Sequence, residues 1–384
     1  MPKNLWLFSA ILHLLLVPGT RNASGQDLTI TPVEERKVLY RWATDRCEDE
    51  FIPDSPARAF RRADGQMVLI AAHRENWSLV GSDFASLRPS CRSTLRSSEQ
   101  RQTGTGNLWI QATYTLDGQR VAALVSEDFS LRTKQAGCDP QGRRGRCWLN
   151  NLIAATSTDG GASFSLAPPD TRVVASLADR YPDDAQARYG VFTSSNIVKR
   201  GDAYFTMAFV QGAGEQRTGN CLFRTDDPFS PDRWRAWDGT DFTVSLRPAA
   251  GSVPCAPLSR SALPTEVRSL TFDTQRNVWI AVYLHRRQMR GDMEPVSGFY
   301  YSLSPDLLNW SRQKRIMASP MRPRVDSWSE MTGYPALLDP DSRSRNFDTL
   351  DSGSPVLLFM RANLSPRGTG SLNRDLMYVR LRVQ

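Results

Sequence analysis

Residues 155–164 read ATSTDGGASF, and the spacing inside this stretch decides how the chain is built. An apolar run ends at Ala155, Ser157 and Asp159 stand two apart, Gly160 and Gly161 follow, and Phe164 comes three residues later. The glycines supply the positive φ of a sharp reversal, the Asp159 carboxylate accepts hydrogen bonds from turn amides, and Phe164 folds back beneath the turn. Such a stretch closes the outer hairpin of a β-sheet, so it speaks of architecture and not of a ligand.

The same grammar runs through the rest of the chain. Five longer hairpins alternate apolar strands with turns rich in Asp, Gly or Asn: ARAFRRADGQMVLIAAH (57–73), LWIQATYTLDGQRVAALVSE (108–127), NIVKRGDAYFTMAFVQ (196–211), VRSLTFDTQRNVWIAVYLH (267–285) and YPALLDPDSRSRNFDTLDSGSPVLLFMR (334–361). Outer endings recur as well, with CLFRTDDPFSPDRWRAW (221–237) and SGFYYSLSPDLLNW (297–310) matching the order strand, Ser or Thr, Asp, aromatic. Units repeating every roughly 50 to 75 residues predict an all-β chain folded as a five-bladed β-propeller, with six blades as the alternative. The propeller is expected over residues 51–384, after a leader at 26–50. LMYVRLRV (376–383) is expected to pair with the segment around RKVLYRW (36–42) and so close the ring without open sheet edges.

Ser157-x-Asp159-Gly160-Gly161-x-Ser163-Phe164 resembles the Asp box of sialidases and other propellers. SPDLLNW (304–310) resembles the Ser-x-Asp-Leu-x-x-Trp ending of the five-bladed propeller glycosidases, the arabinanase, xylosidase and invertase group. Asp54 in IPDSPARAF (52–60) resembles that group's Asp near the start of blade one, and the resemblance implies that it serves as catalytic base. The chain departs from the group in having no clear counterpart of its Asp-Pro dipeptide and in placing Ser195-Asn196 where an auxiliary Asp would stand.

Composition restricts the partners. The first 25 residues carry Lys3, an apolar run from Leu5 to Val17, and small residues at Ala23 and Gly25, which is the pattern of a signal peptide cleaved before Gln26. The expected product is secreted or periplasmic, with no membrane span after cleavage, since the run is shorter than the roughly 20 residues a span needs. In an oxidising compartment six cysteines predict disulfides: Cys138 with Cys147 around the loop DPQGRRGR, then Cys47 with Cys91 and Cys221 with Cys255. No Cys-x-x-Cys pair occurs and only three histidines exist, so no metal site and no cofactor are expected. The net charge of +8 is carried mostly by scattered arginines rather than a basic run, which argues against nucleic acid. It suits a carbohydrate bearing acidic groups, such as a uronate or sialate. Nothing in the sequence specifies an oligomeric state.

A hairpin returns both of its open ends to one face, where propellers carry functional side chains around the channel mouth. Those ends collect Asp54, Arg58, His73 and Arg74; Trp109 with Glu127 and Asp128; Asn196 with Gln211; Glu266, Arg268 and His285; Glu330, Tyr334 and Arg361. A face this dense in carboxylates, arginines and aromatics predicts a sugar pocket. The expected activity is glycoside hydrolysis by paired carboxylates, Asp54 as base and Glu266 as acid, with Glu127 in reserve as acid. Arg58, His73, Arg74, Trp109, Asn196, Arg268, His285, Glu330, Tyr334 and Arg361 are expected to bind substrate. A propeller that binds a glycan or protein without turnover would use the same face.

Overall fold

The computed structural model describes residues 28–100, 106–130, 148–178, 181–182, 188–247, 253–322, 326–327, 329–365 and 372–384. The segment expected to be a signal peptide and the expected Cys138–Cys147 disulfide lie outside them. Blade I is a meander of Arg58–Arg61, Met67–Ala71, Glu75–Gly81 and Arg88–Arg96. Blade II uses Asn107–Thr115, Val121–Ser130 and Trp148–Ser157, edged by Ser165–Leu166 and Val173–Ala175. Blade III begins with an inner strand in two pieces, Tyr189–Ser194 and Val198–Arg200, and continues through Ala203–Gln211, Gly219–Thr225, Arg235–Trp237 and Phe242–Val244. Blade IV is Ser269–Asp273, Val278–Arg287, Val296–Ser304 and Lys314–Ala318. Blade V is Glu330–Leu338, Val356–Asn363 and Arg374–Val383.

The N-terminal strands complete blade V. Ile30–Pro32 pairs antiparallel with the last strand at Ile30↔Val383, and Lys37–Tyr40 pairs with it at Lys37↔Tyr378. The stretch read as a leader therefore supplies strands to the propeller.

Apolar alternation on both faces of each blade creates a core at every interface between neighbours. Phe60, Ile70, Leu108 and Val125 join blades I and II; Leu124, Leu152, Val210 and Phe223 join II and III. Met207, Leu222, Trp279 and Ala281 join III and IV, and Ile280, Phe299, Leu357 and Phe359 join IV and V. Trp77, Leu79, Val356 and Leu358 join V back to I. Five interfaces in cyclic order close a ring of five and leave no place for a sixth blade.

Blades II and III are also joined by hydrogen bonds, since Tyr189 and Gly190 pair in parallel with Leu149 and Asn150. Gly190 has φ +124°, and a Cβ there would meet the Asn150 carbonyl oxygen at 2.1 Å, so only glycine lets the two sheets meet. The expected disulfides Cys47–Cys91 and Cys221–Cys255 are formed, with Cα atoms 5.4 and 6.2 Å apart. The first ties the N-terminal segment to the outer strand of blade I. Among the described residues no helix is long and apolar enough to cross a membrane.

Candidate active site at the channel mouth

Side chains from all five blades meet where the inner strands begin. Asp54 is fixed first by its backbone, whose N–H donates to the Ala72 carbonyl at 2.9 Å. Its carboxylate then gathers donors from two blades. Arg374 of blade V pairs with Oδ1, His73 Nδ1 lies 3.1 Å from Oδ2, and the Asp54 charge raises the pKa of the neighbouring Tyr334 hydroxyl. His73 spans two carboxylates, because its Nε2 is 3.1 Å from Glu50 Oε2. Arg74 Nη2 holds Glu50 in turn, at 3.0 Å from both oxygens. Trp109 meets the His73 ring edge-on at 6.0 Å between centroids.

Glu266, at the start of blade IV, faces two guanidiniums. Arg188 pairs with Oε1, and Arg268 Nη2 is 4.0 Å from Oε2. Arg188 also donates to Gln211 Oε1 at 2.9 Å and lies over the Phe192 ring at 4.3 Å. Arg268 donates to Thr193 Oγ1 at 2.8 Å and lies 5.4 Å from the Tyr334 ring centre. Tyr334 and Arg268 thus link Asp54 to Glu266 across the mouth.

Two bulges aim these groups. The inner strands of blades III and V shift register between Phe192 and Ser194 and between Gly333 and Ala336. The residues they contain, Thr193 and Tyr334, have φ of +34° and +55°. A β-branched or bulky residue in this region is strained, and strain of this kind gathers at functional sites.

Electrostatics divides the carboxyls. Burial alone would raise the Glu266 pKa, but the charges of Arg268 and Arg188, with the Arg188 hydrogen bond, outweigh it and hold the group at about 2. Glu266, expected as the acid, therefore carries charge and no proton at neutral pH. Asp128, at the end of the second strand of blade II, behaves oppositely. Burial pushes it up to about 7 against weak hydrogen bonds from Ser126 and Trp148, and the Asp54 charge adds to the rise.

The mouth brings together Asp54, His73, Arg74, Trp109, Glu266, Arg268 and Tyr334. The other expected residues are engaged elsewhere. Arg58 lies in the channel beneath, 3% exposed. It donates to the carbonyls of Ala57, Gln111, Ser194 and Arg268, so it braces four blades. Burial, with the Arg268 charge, brings its pKa down to about 9, which still leaves it charged at neutral pH. Asn196 clamps the backbone of Leu270 through both its oxygen and its nitrogen, at 2.8 Å each. Glu127 is buried on the same strand face as Val125, 3.5 Å from Arg172, away from the mouth. His285 packs edge-on against Tyr300, Glu330 pairs with Arg36, and Arg361 pairs with Asp375.

Three members were not selected from sequence. Arg188 precedes an inner strand that begins at Tyr189 and not at Asn196, because the bulge and break divide it. Arg374 belongs to a third strand, outside the hairpin ends. Asp128 was legible in principle: strand alternation puts it on the face opposite Val125 and Glu127.

No protein-family model matches the chain, and no curated protein matches it in sequence. Solved structures similar to it include an α-L-arabinofuranosidase of Podospora anserina in complex with cellotriose. That one is 11% identical, with a TM-score of 0.49 over 90% of this chain and 95% of its own. An endo-1,5-α-L-arabinanase of Thermotoga petrophila is 9% identical, with a TM-score of 0.47 over 85% of this chain and 72% of its own. A Cellvibrio cellulosa α-L-arabinanase is 9% identical, with a TM-score of 0.42 over 84% of this chain and 90% of its own. The chain is similar to these propeller glycosidases in outline, while its fold assignment is carried by the strand order and the five interblade cores.

Proposed function

We propose that the protein is an exported glycoside hydrolase acting at this mouth on a carbohydrate that bears acidic groups. The observation that supports the reading most is the meeting of Asp54 and Glu266, from non-adjacent blades, around Tyr334 and Arg268 at one mouth. Trp109 and Tyr334 offer aromatic surface beside them, as a sugar ring requires. Asp54 is the carboxylate that takes a proton from water or attacks the anomeric carbon, and a carboxylic acid elsewhere in the site protonates the leaving oxygen. Arg188, Arg268 and Arg374 outnumber the two carboxylates they pair with, so the mouth favours a uronate-like substituent over a neutral sugar.

A second reading is binding of the same ligand without turnover, favoured by the engagement of both Asp54 and Glu266 in ion pairs. A panel of aryl glycosides and polysaccharides, neutral and uronate-containing, separates the two, with binding measured in parallel. Turnover is expected, and Asp54→Asn is expected to lower it at least about 100-fold with an unchanged circular dichroism spectrum. Binding without turnover favours the second reading, and neither binding nor turnover overturns both.

A further inference from the structure

We propose that Asp128 is the general acid of this site and that Glu266 anchors its two arginines instead. The inference rests on the hydrolase reading above. Asp54, Glu266 and Asp128 face the mouth, and their partners differ in kind. Glu266 faces a guanidinium at each oxygen, a setting that excludes a proton. Asp54 has Arg374 on one oxygen and His73 on the other. Among the described residues, the donors to Asp128 are neutral: Ser126 Oγ at 3.4 Å and the Trp148 indole.

The charges that reach Asp128 come from two other elements. Asp54 approaches from blade I and disfavours a second negative charge. Arg188 approaches from the segment before blade III, but its guanidinium is committed to Glu266 and Gln211. In the sheet, Asp128 stands opposite Asn107 on one side and Asn150 on the other, both uncharged. The residue is half-buried. Its raised pKa, about 7, is what this surrounding predicts.

In the step itself the Asp128 O–H bond breaks as a new O–H bond forms on the glycosidic oxygen. The bond from that oxygen to the anomeric carbon breaks, and the leaving sugar departs as an alcohol. Over the cycle water supplies the hydroxyl to the anomeric carbon and the proton that recharges Asp128.

The test compares Asp128→Asn with Glu266→Gln on 2,4-dinitrophenyl and methyl glycosides of the sugar that the wild type turns over fastest. A dinitrophenolate leaves without help, whereas methanol needs a proton. Asp128→Asn is expected to lose at least about 100-fold on the methyl glycoside, to stay within about 3-fold on the dinitrophenyl one, and to lose the alkaline limb of the pH profile. Equal losses on both substrates, or the leaving-group signature in Glu266→Gln instead, overturn the assignment while leaving the hydrolase reading intact. A wild type that turns over no glycoside overturns both.

Stability checks the proton without turnover. The unfolded chain ionises Asp128 near its ordinary pKa, while the fold resists doing so up to about 7. Wild type should therefore lose melting temperature relative to Asp128→Asn as pH rises from about 5 to about 8. A gap that stays constant across that range shows that Asp128 holds no proton, and sinks the proposal.

Discussion

The outer turns and the channel mouth both depend on aspartates, and they use them in opposite ways. In the turn of blade II, Asp159 Oδ1 accepts from Ser157 Oγ at 2.7 Å and from the Ser163 N–H at 2.9 Å. Asp227 of blade III takes the Phe229 N–H at 2.9 Å, and Asp306 of blade IV takes the Asn309 N–H at 2.7 Å. These partners lie within four residues of the carboxylate. At the mouth, Asp54 and Arg374 are 320 residues apart in the chain, and Arg188 and Glu266 are 78 apart. Turn aspartates are satisfied by their own loops before the ring exists, whereas each mouth carboxylate also draws a guanidinium from another blade or the segment before it. A mutation in a turn should therefore act on one blade, and a mutation at the mouth on the whole.

The largest effect is expected beneath the mouth. Arg58→Ala removes the donor for carbonyls in four blades and should cost about 3 to 5 kcal/mol in denaturant unfolding. A cost under about 1 kcal/mol would show that water replaces the guanidinium, and that the blades are not braced through the channel.

Next comes Glu266, whose pKa is depressed in the fold. Its contribution is fully present above about pH 4.5 and is lost as pH falls toward about 2. Wild type should exceed Glu266→Gln in stability by at most about 3 kcal/mol at neutral pH, with the gap closing in acid. A gap that does not vary with pH would mean that the arginines do not set the charge of Glu266.

The smallest change should come from the turn. Asp159→Ala leaves the Ser163 amide without its acceptor and should lower stability by about 1 to 2 kcal/mol, with ligand binding untouched. Activity lost at an unchanged melting temperature would erase the distinction between turn and mouth.

The same distinction explains what the chain discloses before it is folded. Hairpins, outer turns and the pairing of residues 37–40 with the last strand are patterns of alternation and turn chemistry, and each is visible in a short window. At the mouth, Asp54, His73, Trp109, Glu266, Arg268 and Tyr334 could be found as ends of hairpins. Arg188 could not, because the break before Val198 hides where its strand begins. Arg58 was visible as a charge among apolar neighbours, a position that needs a partner. That its partners would be backbone carbonyls of other blades depends on where those blades come to rest. Glu127 and Asp128 differ by one position, and only the face of the strand decides which of them meets the channel.

The pairing of Ile30–Pro32 with Val383 has a consequence in time. Residues 30–40 leave the ribosome long before residues 374–383, so the apolar surfaces of blades I and V stay uncovered until that strand follows. Arg374 lies on that last strand, and it is the cation that Asp54 requires. Assembly of the channel mouth and completion of the ring are therefore one event: while the circle is open, Asp54 lacks the cation that the last strand brings to it.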